Sequence, residues 1–260
     1  TLLLGERVTE QKGFANTYHE WTAKGEGAIS NADNWSNYTY SNAGITYMTY
    51  AGRPTLSSIA RIANSSSTSK TATALFNPKF LALEIRGNPK TKAIQSLELA
   101  PKVHLTSLNG IRLGSHALLR FAGVVSTRRW IDVSPNASLK GMGSIIGSVY
   151  NDGSVVVTGG SQSWLKIDGD YYQSDSGTLE LKLVEEEYAG FHVQGTTQLA
   201  GKLAITVPNG FEPKSNETYT VLSGEKVGGT FTNPNDTVTA SDGSRFSIRY
   251  SDSAVTLTLK

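Results

Sequence analysis

GMGSIIGSVYNDGSVVVTGG, Gly141 to Gly160, crowds short apolar alternations between closely spaced glycines, with no Asn-Gly or Asp-Gly pair reliably closing an antiparallel hairpin. Repeated short rungs of this kind predict a parallel β-helix. Each coil covers its neighbour, small residues fit the tight corners, and alternate apolar side chains fill a narrow core. The rest of the chain agrees with this reading. Alternating runs such as LALEIRG, VHLTSLNGIRLG, TLELKLV and AVTLTLK recur from end to end, and almost nothing has helical periodicity. A β-sandwich is the competing all-β solution, which closely spaced turn signals suit, and the lack of reliably closed hairpins in the Gly141 to Gly160 stretch favours the β-helix over it.

The 260 residues suffice for one large β domain. Residues 1–50, rich in aromatics and Asn, read as an N-terminal cap that includes Trp21 and Trp35; residues 51–260 read as the coils. Thr218 to Lys260 reads as an antiparallel closing element, the whole forming a single domain. The polar stretch NSSSTSKTATA, Asn64 to Ala74, reads as a surface loop. Cysteine is absent, so neither a disulfide nor a thiolate metal site staples the fold. A net charge of +2 is far from the concentrated positive charge of a nucleic-acid binder. No apolar run spans a bilayer, and TLLLGERVTE has neither an initiator Met nor a signal-peptide core, so the chain reads as an excised or processed piece.

Two segments carry a family resemblance. EWTAKGEGAISNADNWSN, Glu20 to Asn37, resembles the opening of autotransporter-like, or PEP-CTERM-associated, bacterial surface β-helix domains. SLKGMGSIIGSVYNDGSVVVTGG, LKIDGDYYQSDSGTLELKL, EYAGFHVQGTTQLAGKLAITVPNGFEPKSNETYTVLSG and GGTF resemble their C-terminal block. The resemblance implies a right-handed parallel β-helix with capped ends, in a secreted or cell-surface protein in which the chain is fused to other domains. It implies no chemistry, because such domains serve as passengers, adhesins, spacers and accessory modules of polysaccharide-degrading enzymes. Two departures stand out: Ala189 where Asp usually comes after the residue matching Tyr188, and Trp164 where a Gly- or Pro-rich approach is common.

Strand parity sorts the aromatic residues. In WLKIDGDYY, Leu165, Ile167 and Tyr171 point inward, leaving Trp164, Lys166, Asp168, Asp170 and Tyr172 outward. In RRWIDV, Ile131 and Val133 point inward and Arg128, Trp130 and Asp132 outward. If the two Trp-bearing strands stack on one face of successive coils, Trp130 and Trp164 become neighbours. Sugar rings pack on aromatic planes, and their polar groups bond to charged side chains. The expected carbohydrate site is therefore Trp130, Trp164 and Tyr172 with Arg128, Arg129 and Lys166, the arginines and lysine suiting an acidic glycan. Shelter of both tryptophans under loops is the structural alternative. Tyr38, Tyr40, Tyr47 and Tyr50 read either as cover for the cap or as a second platform.

Catalytic patterns are weak. The four histidines lack metal-ligand spacing, and no nucleophile elbow is present. Arg128, Arg129 and Lys140 form the one cluster suited to a polysaccharide lyase. Glu185, Glu186 and Glu187 sit together in a turn and do not make a separated glycosidase pair. Asp168, Asp170 and Asp175 read as turn residues. No metal or cofactor is expected. The sequence thus points to a non-catalytic polysaccharide-binding module, with a structural passenger or adhesin segment as the alternative and a lyase third.

Overall fold

In the computed structural model the residues described are 16–22, 27–41, 44–48, 54–158, 164–183, 190–215 and 217–260. The chain folds as an all-β parallel solenoid whose strands stack on three faces. The first face can be followed through the register Ala60–Leu83–Ile111–Ile131–Val149–Tyr171, each residue the parallel partner of the next. The second runs Ala72–Leu97–Leu119–Leu139–Val155–Leu179–Leu203. The third runs Leu105–Val125–Ile145–Ile167–Val193. All of these side chains point inward and are nearly or wholly buried. A fully buried Leu, Ile or Val stabilises the fold by about 1.5–3 kcal/mol relative to exposure. These three converging rows are therefore the core.

Corners need close backbone approach. In the strand Ser138–Asn151, Gly143 and Gly147 adopt φ of +109° and +133°, a region closed to most L-residues. A Cβ on Gly143 would strike the Gly123 carbonyl oxygen, and one on Gly147 would lie 2.7 Å from the Thr127 oxygen. This explains the glycine spacing of the Gly141 to Gly160 stretch: one strand turns two corners and contributes to all three faces.

The corner between the first and second faces uses an internal amide ladder. The Asn151 side-chain amide donates to Tyr171 Oη at 3.0 Å and to the Thr178 carbonyl at 3.0 Å. Tyr171 Oη donates to Gln173 Oε1 at 2.6 Å, and Gln173 Nε2 donates to the Ala200 carbonyl at 2.7 Å. Corner carbonyls that no neighbouring strand reaches are satisfied from inside. Burial pushes the Tyr171 hydroxyl far above its ordinary pKa, with the Asn151 hydrogen bond opposing the shift.

Both ends are capped. The strand Asn16–Trp21 pairs in parallel with Ser58–Ala63 and antiparallel with Trp35–Ser41, which forms a hairpin with Gly44–Met48. Coiling thus begins inside the segment expected to be cap. Trp21 and Trp35 are buried there, Trp35 Nε1 donating to the Ile29 carbonyl at 2.9 Å. At the other end Thr218–Gly229 pairs in parallel with the last coil and antiparallel with Ala254–Leu259, which pairs antiparallel with Arg245–Tyr250, itself antiparallel to Thr237–Thr239.

One sequence expectation fails within the coils. Lys70–Ala74, assigned to a surface loop, is a strand of the second face with Ala72 and Ala74 fully buried. Ala and Thr carry too little apolar contrast to reveal the alternation. Asn64, at the start of the same stretch, is buried and donates to the Thr68 and Ile94 carbonyls.

Candidate functional site

The two Trp-bearing strands do not stack. Trp130 is on the first face, paired with Ser148; two coils on from it comes Asp170, just before Tyr171. Trp164 begins a strand of the third face, where Leu165 pairs with Gly143 and Trp164 with Gly190. The expectation that Trp130 and Trp164 are neighbours is therefore wrong. Parity assigns each strand correctly to inside and outside, but the likeness of WIDV to WLKI is local, and whole coils lead from WIDV to YYQ instead. Inward burial of Leu165, Ile167, Tyr171, Ile131 and Val133 is as expected.

On the first face the rings pack on one another. Tyr150, not singled out from the sequence, lies in register between Asp132 and Tyr172. Its ring stacks on Tyr172 at 4.9 Å between centroids and 10° between planes, close to the ~4.8 Å spacing of adjacent strands. Trp130 stands perpendicular to Tyr150 at 5.1 Å. Each ring of the Tyr pair thus gives a face to the other, and all three aromatics are half-buried. The Tyr172 hydroxyl titrates above its usual range because of partial burial and the nearby Asp170 carboxylate. Asp132, expected outward, has outward parity yet is only 3% exposed. The signal for Tyr150 was its outward parity beside Val149, which becomes informative only once the coil register is known.

Arg128 and Arg129 are exposed at the corner between the third and first faces, where two extra residues bulge between Ser126 and Trp130. They flank Trp130 but belong to a different edge from Trp164. Lys140 is on the second face beside Arg120, so the three basic residues considered for a lyase are not brought together.

The third face presents a different surface. Trp164 is 48% exposed, and its partner on the following coil, Gly190, has no side chain to cover the ring. On the preceding coil, one residue before the Gly143–Leu165 pair, lies Met142, with Ile146 further along the same strand; both are exposed. The next outward row reads Val124–Ser144–Lys166–His192–Ser223. Lys166 Nζ contacts Asp168 Oδ1 at 2.6 Å, and His192 Nδ1 is 3.0 Å from Ser223 Oγ. At the start of the face His104 Nε2 lies 3.0 Å from Ser126 Oγ. The face thus carries one open ring, an apolar neighbour in Met142, Ile146 further along in register with Asp168, and hydrogen-bonding groups in adjacent rows.

Other candidates divide differently. Asp170 Oδ1 accepts from the Thr196 backbone N–H at 2.8 Å, a turn role, and Asp175 sits in a separate turn. Among the described residues no group of three His, Asp or Glu side chains is placed to hold a metal ion. Glu185 to Glu187, Tyr188, Ala189 and Tyr50 lie outside the described residues, as do the side chains of Tyr38, Tyr40 and Tyr47. A groove of about 870 Å³ near the N-terminal end is lined by Ile29, Leu56, Leu75, Phe76 and Phe80, with Lys79 the single titratable residue among the described residues that line it. Those residues supply no acid–base pair. No described helix is long and apolar enough to cross a membrane. In comparisons with known proteins, no family model matches the chain, and neither a curated protein nor a solved structure gives a significant match.

Proposed function

We propose that the protein is a non-catalytic polysaccharide-binding module of a larger secreted or cell-surface protein, and that the glycan rests on the third face with Trp164 as the stacking ring. The observation that carries this reading is the 48% exposure of Trp164, in register with Gly190 on the third face. Leaving a large ring open forfeits on the order of 2 kcal/mol of burial, which asks for a compensating role. Sugar C–H faces suit such a ring, and Ser144, His192 and Ser223 supply polar partners in the neighbouring row. The basic corner of Arg128 and Arg129, with Trp130 and Tyr172 behind it, drops out of the binding set.

Affinity electrophoresis through gels containing individual polysaccharides tests the reading. Retardation by at least one polymer, accompanied by a change in tryptophan fluorescence and lost on Trp164→Ala, is expected. Free migration in every polymer would instead support a structural passenger or adhesin segment without a glycan ligand. A rise in absorbance near ~235 nm with uronate polymers, the signature of the unsaturated product of β-elimination, would favour a lyase.

A further inference from the structure

We infer that the glycan held at Trp164 is an uncharged one; this rests on the preceding reading of the third face. An acidic chain needs a cation within reach of the ring that carries it. Lys166, one row along, has its ammonium in contact with the Asp168 carboxylate at 2.6 Å on the same strand. The pair contributes no net charge. Arg128 and Arg129 are too far away: from Ala122, in register with Met142, the strand advances on the order of 20 Å to Arg128 at ~3.3 Å per residue. That is a span of several sugar units. Arg120 and Lys140 belong to the second face; Lys140 precedes Met142 by two residues, and the corner between Gly141 and Gly143 separates the two faces.

The other described residues in register around Trp164 are neutral or hydrogen-bonding. Met142 lies beside it, Gly190 opposite, and Ser144, His192 and Ser223 in the adjacent row. The rows run along the solenoid axis with one residue per coil, about 4.8 Å apart. An extended neutral chain lying along the axis would meet one coil per sugar, with Trp164 stacking on one unit and the hydroxyl and imidazole row bonding to the equatorial groups of its neighbours.

The test compares hydroxyethyl cellulose and glucomannan with alginate and dextran sulfate, each at about 50 and 500 mM NaCl. Binding to a neutral polymer is expected, with affinity changing less than about twofold across that salt range, because contacts without ionic character are hardly screened. Asp168→Asn, which frees Lys166, should raise affinity for alginate several-fold while leaving neutral binding unchanged. Preference of the unmodified protein for alginate or dextran sulfate, weakening steeply with salt, would overturn the inference and leave the glycan-binding reading standing. Failure to bind any of the polymers would overturn both.

Discussion

The first and third faces have inner rows of the same kind, both apolar and buried, and differ in what the outer row does. On the first face, Asp132, Tyr150 and Tyr172 succeed one another in register, and the tyrosine rings fall at the sheet's own spacing, so each covers the next. On the third, Trp164 is succeeded by Gly190, and the stack is broken before it starts. Outward parity is therefore not exposure. In a solenoid, an outward ring is open or closed according to the side chain one coil away.

That contrast can be broken most forcefully at Tyr150. Tyr150→Ala removes the ring that contacts both Trp130 and Tyr172, and the expected loss is about 2–3 kcal/mol in chemical denaturation, with glycan binding unchanged. A loss of binding with the fold intact would move the site to the first face. Trp164→Ala should do the reverse, shifting stability by less than ~0.5 kcal/mol while weakening glycan binding at least tenfold, about 1.4 kcal/mol.

The inner rows supply a control that both faces share. Tyr171→Phe deletes the hydroxyl that accepts from Asn151 and donates to Gln173 Oε1, leaving buried amide groups short of a partner. A destabilisation of about 1–2 kcal/mol is expected in urea melts, with neither outer surface altered. The smallest effect concerns His19 at the N-terminal end, whose pKa is lowered by burial. A depressed folded pKa means the unfolded chain takes up the proton first. Stability is therefore fully present above an unfolded pKa of about 6.5 and declines as pH falls below it toward the folded value. Melting temperatures of the native chain should fall more between pH 7.5 and 5.5 than those of His19→Asn; parallel curves would contradict this.

Much of the architecture was legible in the sequence because parity and corner chemistry are local. Leu165, Ile167 and Tyr171 declared their inward direction by alternation, and the glycines around Ile145 declared the corners. Register was not local. Which strands become neighbours depends on the length of every loop in a coil, so WIDV and WLKI looked like partners although Tyr171 and Tyr172 lie two coils on from Ile131 and Asp132. For the same reason Tyr150 went unnoticed, and Met142 and Ile146 joined the Trp164 surface only when the coils were aligned. The strand at Lys70–Ala74 escaped for a different reason, because its inward residues are alanines.

The most direct measurement sets Trp164→Ala beside Tyr172→Ala in the same affinity gels, with hydroxyethyl cellulose and glucomannan as the polymers and circular dichroism to confirm that both variants fold. The third-face account predicts that Trp164→Ala migrates as if no polymer were present while Tyr172→Ala is retarded like the native protein. Retention of binding by folded Trp164→Ala, or its loss in folded Tyr172→Ala, would contradict it.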